Sequence, residues 1–105
     1  MDHSGILKEN AEELANACRR HRVHRLTLFG SAAVGAFDPA TSDFDLLVEF
    51  EPMSSSDRAN HFFGLQEDLE ELLGAPVDLV EPSAIRNPYF TRAIEPTLRV
   101  LYEAA

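Results

Sequence analysis

Asp43 and Asp45 stand one residue apart at the head of the apolar run Phe44-Asp45-Leu46-Leu47-Val48, shortly after a Gly30-Ser31 turn that closes an earlier apolar run. Side chains alternate along a strand, so Asp43 and Asp45 point one way while Phe44, Leu46, Val48 and Phe50 point the other. The strand repeat sets the two carboxylates ~7 Å apart at Cβ, where they repel unless cations lie between them. Hard oxygen donors of this kind suit Mg²⁺, which takes one or two carboxylates together with substrate phosphate oxygens. A rigid strand carrying two acids is a natural mount for two-metal phosphoryl or nucleotidyl transfer.

Gly30 and Ser31 extend that chemistry. Glycine lets the backbone bend sharply and approach a ligand closely. Ser31 can cap the short helix expected over residues 31–34 or donate its hydroxyl to a phosphate oxygen, and the N–H groups of Ala32 and Ala33 would then face an anion. Asp78 is a third candidate, because a charge is unexpected in the apolar run Val77-Asp78-Leu79-Val80 unless something pairs with it. If that strand lies beside the second, Asp78 shares a face with Asp43 and Asp45. It could complete metal coordination or act as general base towards an attacking hydroxyl. Each feature also has a plain reading: a Ser-capped turn, a chance surface pair and an edge-strand acid.

The elements that position these residues follow from periodicity. Ile6, Leu7, Ala11, Leu14, Ala15 and Cys18 recur at helical spacing with Ser4 as N-cap. Val23 to Phe29 forms a strand, residues 37–42 form a turn around Pro39, and Asp43 to Phe50 forms a second strand. Ser54, Ser55 and Ser56 offer caps for a long helix whose buried stripe is Phe62, Leu65, Leu69, Leu72 and Leu73, with Gly74 as its stop. Glu67, Asp68, Glu70 and Glu71 fall mostly on the solvated side. Val77 to Val80 is a third strand, Pro88 opens a helix around Tyr89 to Ile94, Pro96 breaks it, and Leu98 to Tyr102 is a fourth strand. This alternation predicts an α/β (α+β) domain, a small mixed four-stranded sheet packed with helices, spanning residues 1–105.

Composition narrows the partners. A formal charge of −9 over 105 residues, with nine Lys and Arg, disfavours direct nucleic-acid binding, which needs basic surface to displace counterions. Arg19, Arg20, Arg22 and Arg25 cluster with His21 and His24, where a solvated helix C-terminus explains them through the helix dipole. No run approaches the ~20 apolar residues of a membrane helix, and no secretory signal is visible. The lone Cys18 falls on an apolar helix face and fits a reducing cytosol, so a cytoplasmic location is expected. Tyr89 and Tyr102 read as packing residues with surface hydroxyls, or as targets of self-modification.

Turn, spacer, carboxylate pair and third acid together resemble the nucleotidyltransferase superfamily, whose signature is Gly-Ser, about ten residues, then Asp-x-Asp. The short chain, ending in Asn87-Pro88-Tyr89-Phe90 and beyond, is similar to the minimal nucleotidyltransferases, the MNT antitoxins that accompany HEPN-domain RNase toxins. The resemblance implies a polymerase beta-like palm fold, ATP as nucleotide substrate and Mg²⁺, in two sites, as cofactor. It also implies transfer of AMP to a tyrosine hydroxyl of a HEPN toxin, which silences the RNase. By the same resemblance Gly30 and Ser31 hold phosphate, Asp43 and Asp45 bind metal, and Asp78 is the third acid at the metal and the acceptor. Many relatives carry arginine just after Gly-Ser, whereas this chain has Ala32, Ala33 and Val34, so a triphosphate contact is missing or supplied from elsewhere. The alternatives are an antitoxin that neutralises its partner by binding alone, and nucleotidyl transfer to a small molecule, for whose second, acceptor-holding domain the chain has no space.

Overall fold

Val23–Phe29 (β1) is buried on both faces from Leu26 to Phe29, and it occupies an interior position in the sheet. The computed structural model describes residues 7–29, 44–82, 88–89, 92 and 95–104. β2 (Phe44–Phe50) and β4 (Arg99–Glu103) flank β1, both antiparallel to it. β3 (Val77–Val80) pairs with β2 in parallel. A parallel neighbour requires a crossover, and helix α2 (Ser55–Leu73) supplies it. The mixed four-stranded sheet expected from the sequence is therefore the one observed.

Each element ends where local chemistry ends it. Ser54 caps α2, its hydroxyl accepting the Asp57 N–H at 3.2 Å, which satisfies one of the helix's orphan donors. Gly74 closes α2 in the left-handed region at φ 65°, its N–H reaching the Glu70 carbonyl, a conformation that penalises any Cβ. The first helix departs from the continuous one expected. Residues 7–9 are helical, Asn10 forms a turn, and α1 proper spans Ala11–Arg20 without a side-chain cap. The proposed Ser4 cap and the short helix over residues 31–34 lie outside the described residues. The fourth strand begins one residue later than expected, after a 3-10 turn at Glu95–Thr97 that contains Pro96.

One face of the sheet packs against both helices. Leu26, Leu28, Phe44, Leu46, Val48, Val77 and Leu79 meet Leu14, Ala17 and Cys18 of α1 and Leu65, Leu69 and Leu73 of α2 in one core. Cys18 is 0% exposed, and burial pushes its thiol up to about 12, so it fills space and stays protonated. The opposite face carries Arg25, Thr27 and Phe29 of β1, Asp45, Leu47 and Glu49 of β2, and Asp78 and Val80 of β3, as the registers dictate. Thr27 and Phe29 are buried here as well. At one end Arg25 braces its strand to both neighbours, its Nε 2.7 Å from Glu103 and its Nη1 3.4 Å from Glu49.

The basic cluster at the end of α1 is engaged rather than simply solvated. Arg20 and His21 both bond Asp68 of α2, at 3.2 and 2.7 Å, and Arg22 lies 3.6 Å from Glu51. The hydrogen bond from His21 is the strongest influence on Asp68 and holds its carboxyl below the usual carboxylate range; partial burial opposes this, and Arg20 reinforces it. Tyr102 packs against the core with the Arg19 guanidinium 6.0 Å over its ring, whereas Tyr89 is exposed.

Truncating the fully buried Leu69 to Ala should remove about 2–5 kcal/mol of stability, read as a lower urea midpoint at unchanged slope. A carboxyl depressed in the folded state stabilises above its unfolded pKa and stops doing so as pH falls through the folded one. The lead of the parent over Asp68→Asn should therefore hold near neutrality and shrink below about pH 4, measured by urea denaturation at stepped pH.

Candidate nucleotidyl-transfer site

Phe44-Asp45-Leu46-Leu47 and Val77-Asp78-Leu79-Val80 carry the same pattern of an acid after one apolar residue and before two more. The parallel register pairs them residue for residue: Phe44 with Val77, Asp45 with Asp78, Leu46 with Leu79 and Leu47 with Val80. Phe44, Leu46, Val77 and Leu79 are all in the core. Alternation therefore sends Asp45 and Asp78 together to the opposite face. Asp45 is half-buried and Asp78 exposed. This is the juxtaposition that the third-acid reading requires.

β1 delivers the remaining edge of the site. Its last residue, Phe29, is the register partner of Asp45, so β1 ends where β2 and β3 begin. Gly30 and Ser31 follow Phe29 in sequence and Asp43 precedes Phe44; these three candidate residues lie outside the described residues. Of the sequence-derived set, the structure thus brings Asp45 and Asp78 together.

Contacts that periodicity did not reveal hold this end of the sheet. Gln66 and Glu70, one turn apart on α2, grip both backbone groups of Val77. The Gln66 amide donates to the Val77 carbonyl at 3.2 Å, and the Glu70 carboxylate accepts the Val77 N–H at 3.1 Å. Phe44 N–H donates to the Pro76 carbonyl at 3.0 Å, tying the entrance of β2 to that of β3. The residue before each aspartate is therefore fixed by its backbone as well as by its buried side chain. The sequence pattern groups Glu70 with the solvated acids of α2, whereas the structure turns it to β3. Its distinguishing mark in the sequence is the i, i+4 spacing from Gln66, which aligns the two on one helix face.

Hard oxygen donors on neighbouring strands, beside a strand that ends at a Gly-Ser, make an arrangement suited to phosphate-bound divalent cations. Residues 11–100 match the nucleotidyltransferase domain family. The chain belongs to that family. Among curated relatives of this nucleotidyltransferase, a candidate protein adenylyltransferase of Methanocaldococcus jannaschii is 38% identical over 96 residues, covering 91% of this chain and 84% of its own length. The protein adenylyltransferase MntA of Thermococcus cleftensis is 34% identical, covering 72% and 81%. Among solved structures, a candidate minimal nucleotidyltransferase superposes with a TM-score of 0.66 at 32% identity, covering 94% of this chain and 95% of that one. The fold is also that of a chain in the complex of tri-AMPylated Shewanella oneidensis HEPN toxin with MNT antitoxin, with a TM-score of 0.60 at 17% identity over 93% and 73% of the two chains.

Like charges directly opposite on adjacent strands destabilise a sheet. Without divalent metal and at low salt, Asp78→Asn should raise stability by about 0.2–1 kcal/mol, seen as a higher urea midpoint in the presence of chelator.

Proposed function

We propose that this nucleotidyltransferase is a Mg²⁺-dependent protein adenylyltransferase antitoxin, one domain of 105 residues acting in the cytosol, that transfers AMP from ATP to a tyrosine hydroxyl of a HEPN-type RNase toxin. The in-register pairing of Asp45 with Asp78 is the observation that carries this reading. Family membership and the protein adenylyltransferases among the relatives support it, as does the shared fold with the antitoxin of an AMPylated HEPN complex.

The donor set fits the cation. Asp45 and Asp78 offer hard carboxylate oxygens on one face, and Asp43, next to Phe44 in the sequence, is the third carboxylate of the motif. Mg²⁺ held by these residues would neutralise triphosphate charge and polarise the α-phosphate. Gly30 and Ser31 are the residues of the sequence motif that would seat the phosphates, through backbone N–H and hydroxyl groups. The tyrosine oxygen attacks the α-phosphorus while the bond to the bridging oxygen of the β-phosphate breaks. Pyrophosphate carries away that electron pair, AMP remains on the tyrosine, and Asp78, the more exposed acid, takes the phenolic proton.

Incubation with labelled ATP, Mg²⁺ and the neighbouring toxin should label the toxin. Asp45→Asn and Asp78→Asn should each lower that labelling by about 10²-fold or more, and chelator should abolish it. Undiminished labelling by Asp45→Asn would refute the metal assignment. Rescue of growth by an unreactive double variant would instead favour neutralisation by contact, the reading to which the charge of −9 lends itself against a basic RNA-binding partner.

A further inference from the structure

The helix side of the molecule carries a second constellation, on the face of the sheet away from the carboxylates. His21 follows the last residue of α1 and is seated against α2 at Gly64. A Cβ on Gly64 would come within 2.8 Å of the His21 ring. Glycine inside a helix is less favourable than alanine, and here its absent side chain is what admits the imidazole. The ring is then anchored at both nitrogens. Nε2 lies 2.7 Å from the Asp68 carboxylate, and Nδ1 lies 3.2 Å from Nδ1 of His61, the two rings meeting edge to face at 76°.

We propose that His21 and His61 form a binding site for one transition-metal ion of the zinc class, with Asp68 as the residue that orients the His21 ring. When His21 is neutral, its Nε2–H donates to Asp68, which leaves the lone pair on Nδ1, the atom that faces His61. A carboxylate on the far nitrogen is the usual support of a metal-bound histidine. Two imidazoles on one tetrahedral ion, at ~2.0–2.1 Å each, stand roughly 3.3–3.4 Å apart, close to the observed separation. The ion would replace the proton that the two Nδ1 atoms share as a hydrogen bond, His61 passing to its Nε2–H tautomer or the proton leaving to solvent. Imidazole suits zinc, copper and nickel over magnesium. Both rings are half-buried rather than sealed, so solvent ions reach them. Among the described residues no cluster of three or more His, Cys, Asp or Glu could hold a metal. The described residues thus supply two imidazoles, and such a pair binds more weakly than a four-ligand structural zinc site. An ion here would join the end of α1 to α2.

The test uses untagged protein carrying Asp45→Asn and Asp78→Asn, in excess Mg²⁺, titrated with Zn²⁺ by calorimetry. One Zn²⁺ per chain should bind, and His61→Ala and His61→Phe, each checked for folding by circular dichroism, should lose it. Asp68→Asn should weaken it about 10–100-fold, which separates an orienting carboxylate from a merely structural one. Equal uptake by the parent and both His61 variants, or no uptake by the parent, would overturn the proposal.

Discussion

The pairing of β2 with β3 is the constraint on which the site depends. Phe44 and Leu46 enter the core beside Val77 and Leu79, and the period of two along a strand then leaves the acids nowhere but the opposite face. A slip of one residue in either strand would drive a carboxylate into the core and lift its neighbours out. Burial of unpaired charge is costly enough that the register is enforced by the same residues that build the core. The like charges of Asp45 and Asp78 are thus held opposite each other by the apolar side of the same pairing.

Helix α2 serves this pairing in three ways. It is the crossover that makes β3 parallel to β2. It supplies Leu65, Leu69 and Leu73 to the core beneath the sheet. Through Gln66 and Glu70 it grips Val77, one residue from Asp78. Side-chain partners for the backbone at a strand's first residue satisfy groups that would otherwise need water. The acidic character of α2 is accordingly uneven: Asp68 faces His21 and Arg20, Glu70 faces β3, and Glu67 and Glu71 are exposed.

Much of this was legible from residue types alone. Val23–Phe29 and Val77–Val80 have the boundaries their apolar runs foretold, and the facing of Phe44, Leu46 and Val48 away from Asp45 follows from alternation. Asp78 stood out because a lone charge interrupts an apolar run. The break at Asn10 was not legible, since Leu7, Ala11 and Leu14 keep helical spacing across it. The grip of Gln66 and Glu70 on Val77, and the contact of His21 with His61, depend on how α2 is rotated against its neighbours. Periodicity locates the apolar stripe of a helix but not the polar partners at its margins.

The shortness of β3 gives the carboxylate pair a particular fragility. β3 has four residues, lies at the margin of the described sheet and shares its ladder with β2 alone. Edge segments with few ladder bonds open locally at a free energy far below that of global unfolding. Fraying of β3 would withdraw Asp78 while the antiparallel trio of β2, β1 and β4 stayed intact. The buried Val77 and Leu79 and the grip of Gln66 and Glu70 oppose that opening, and a ligand bridging both acids would oppose it further by holding the strand in place.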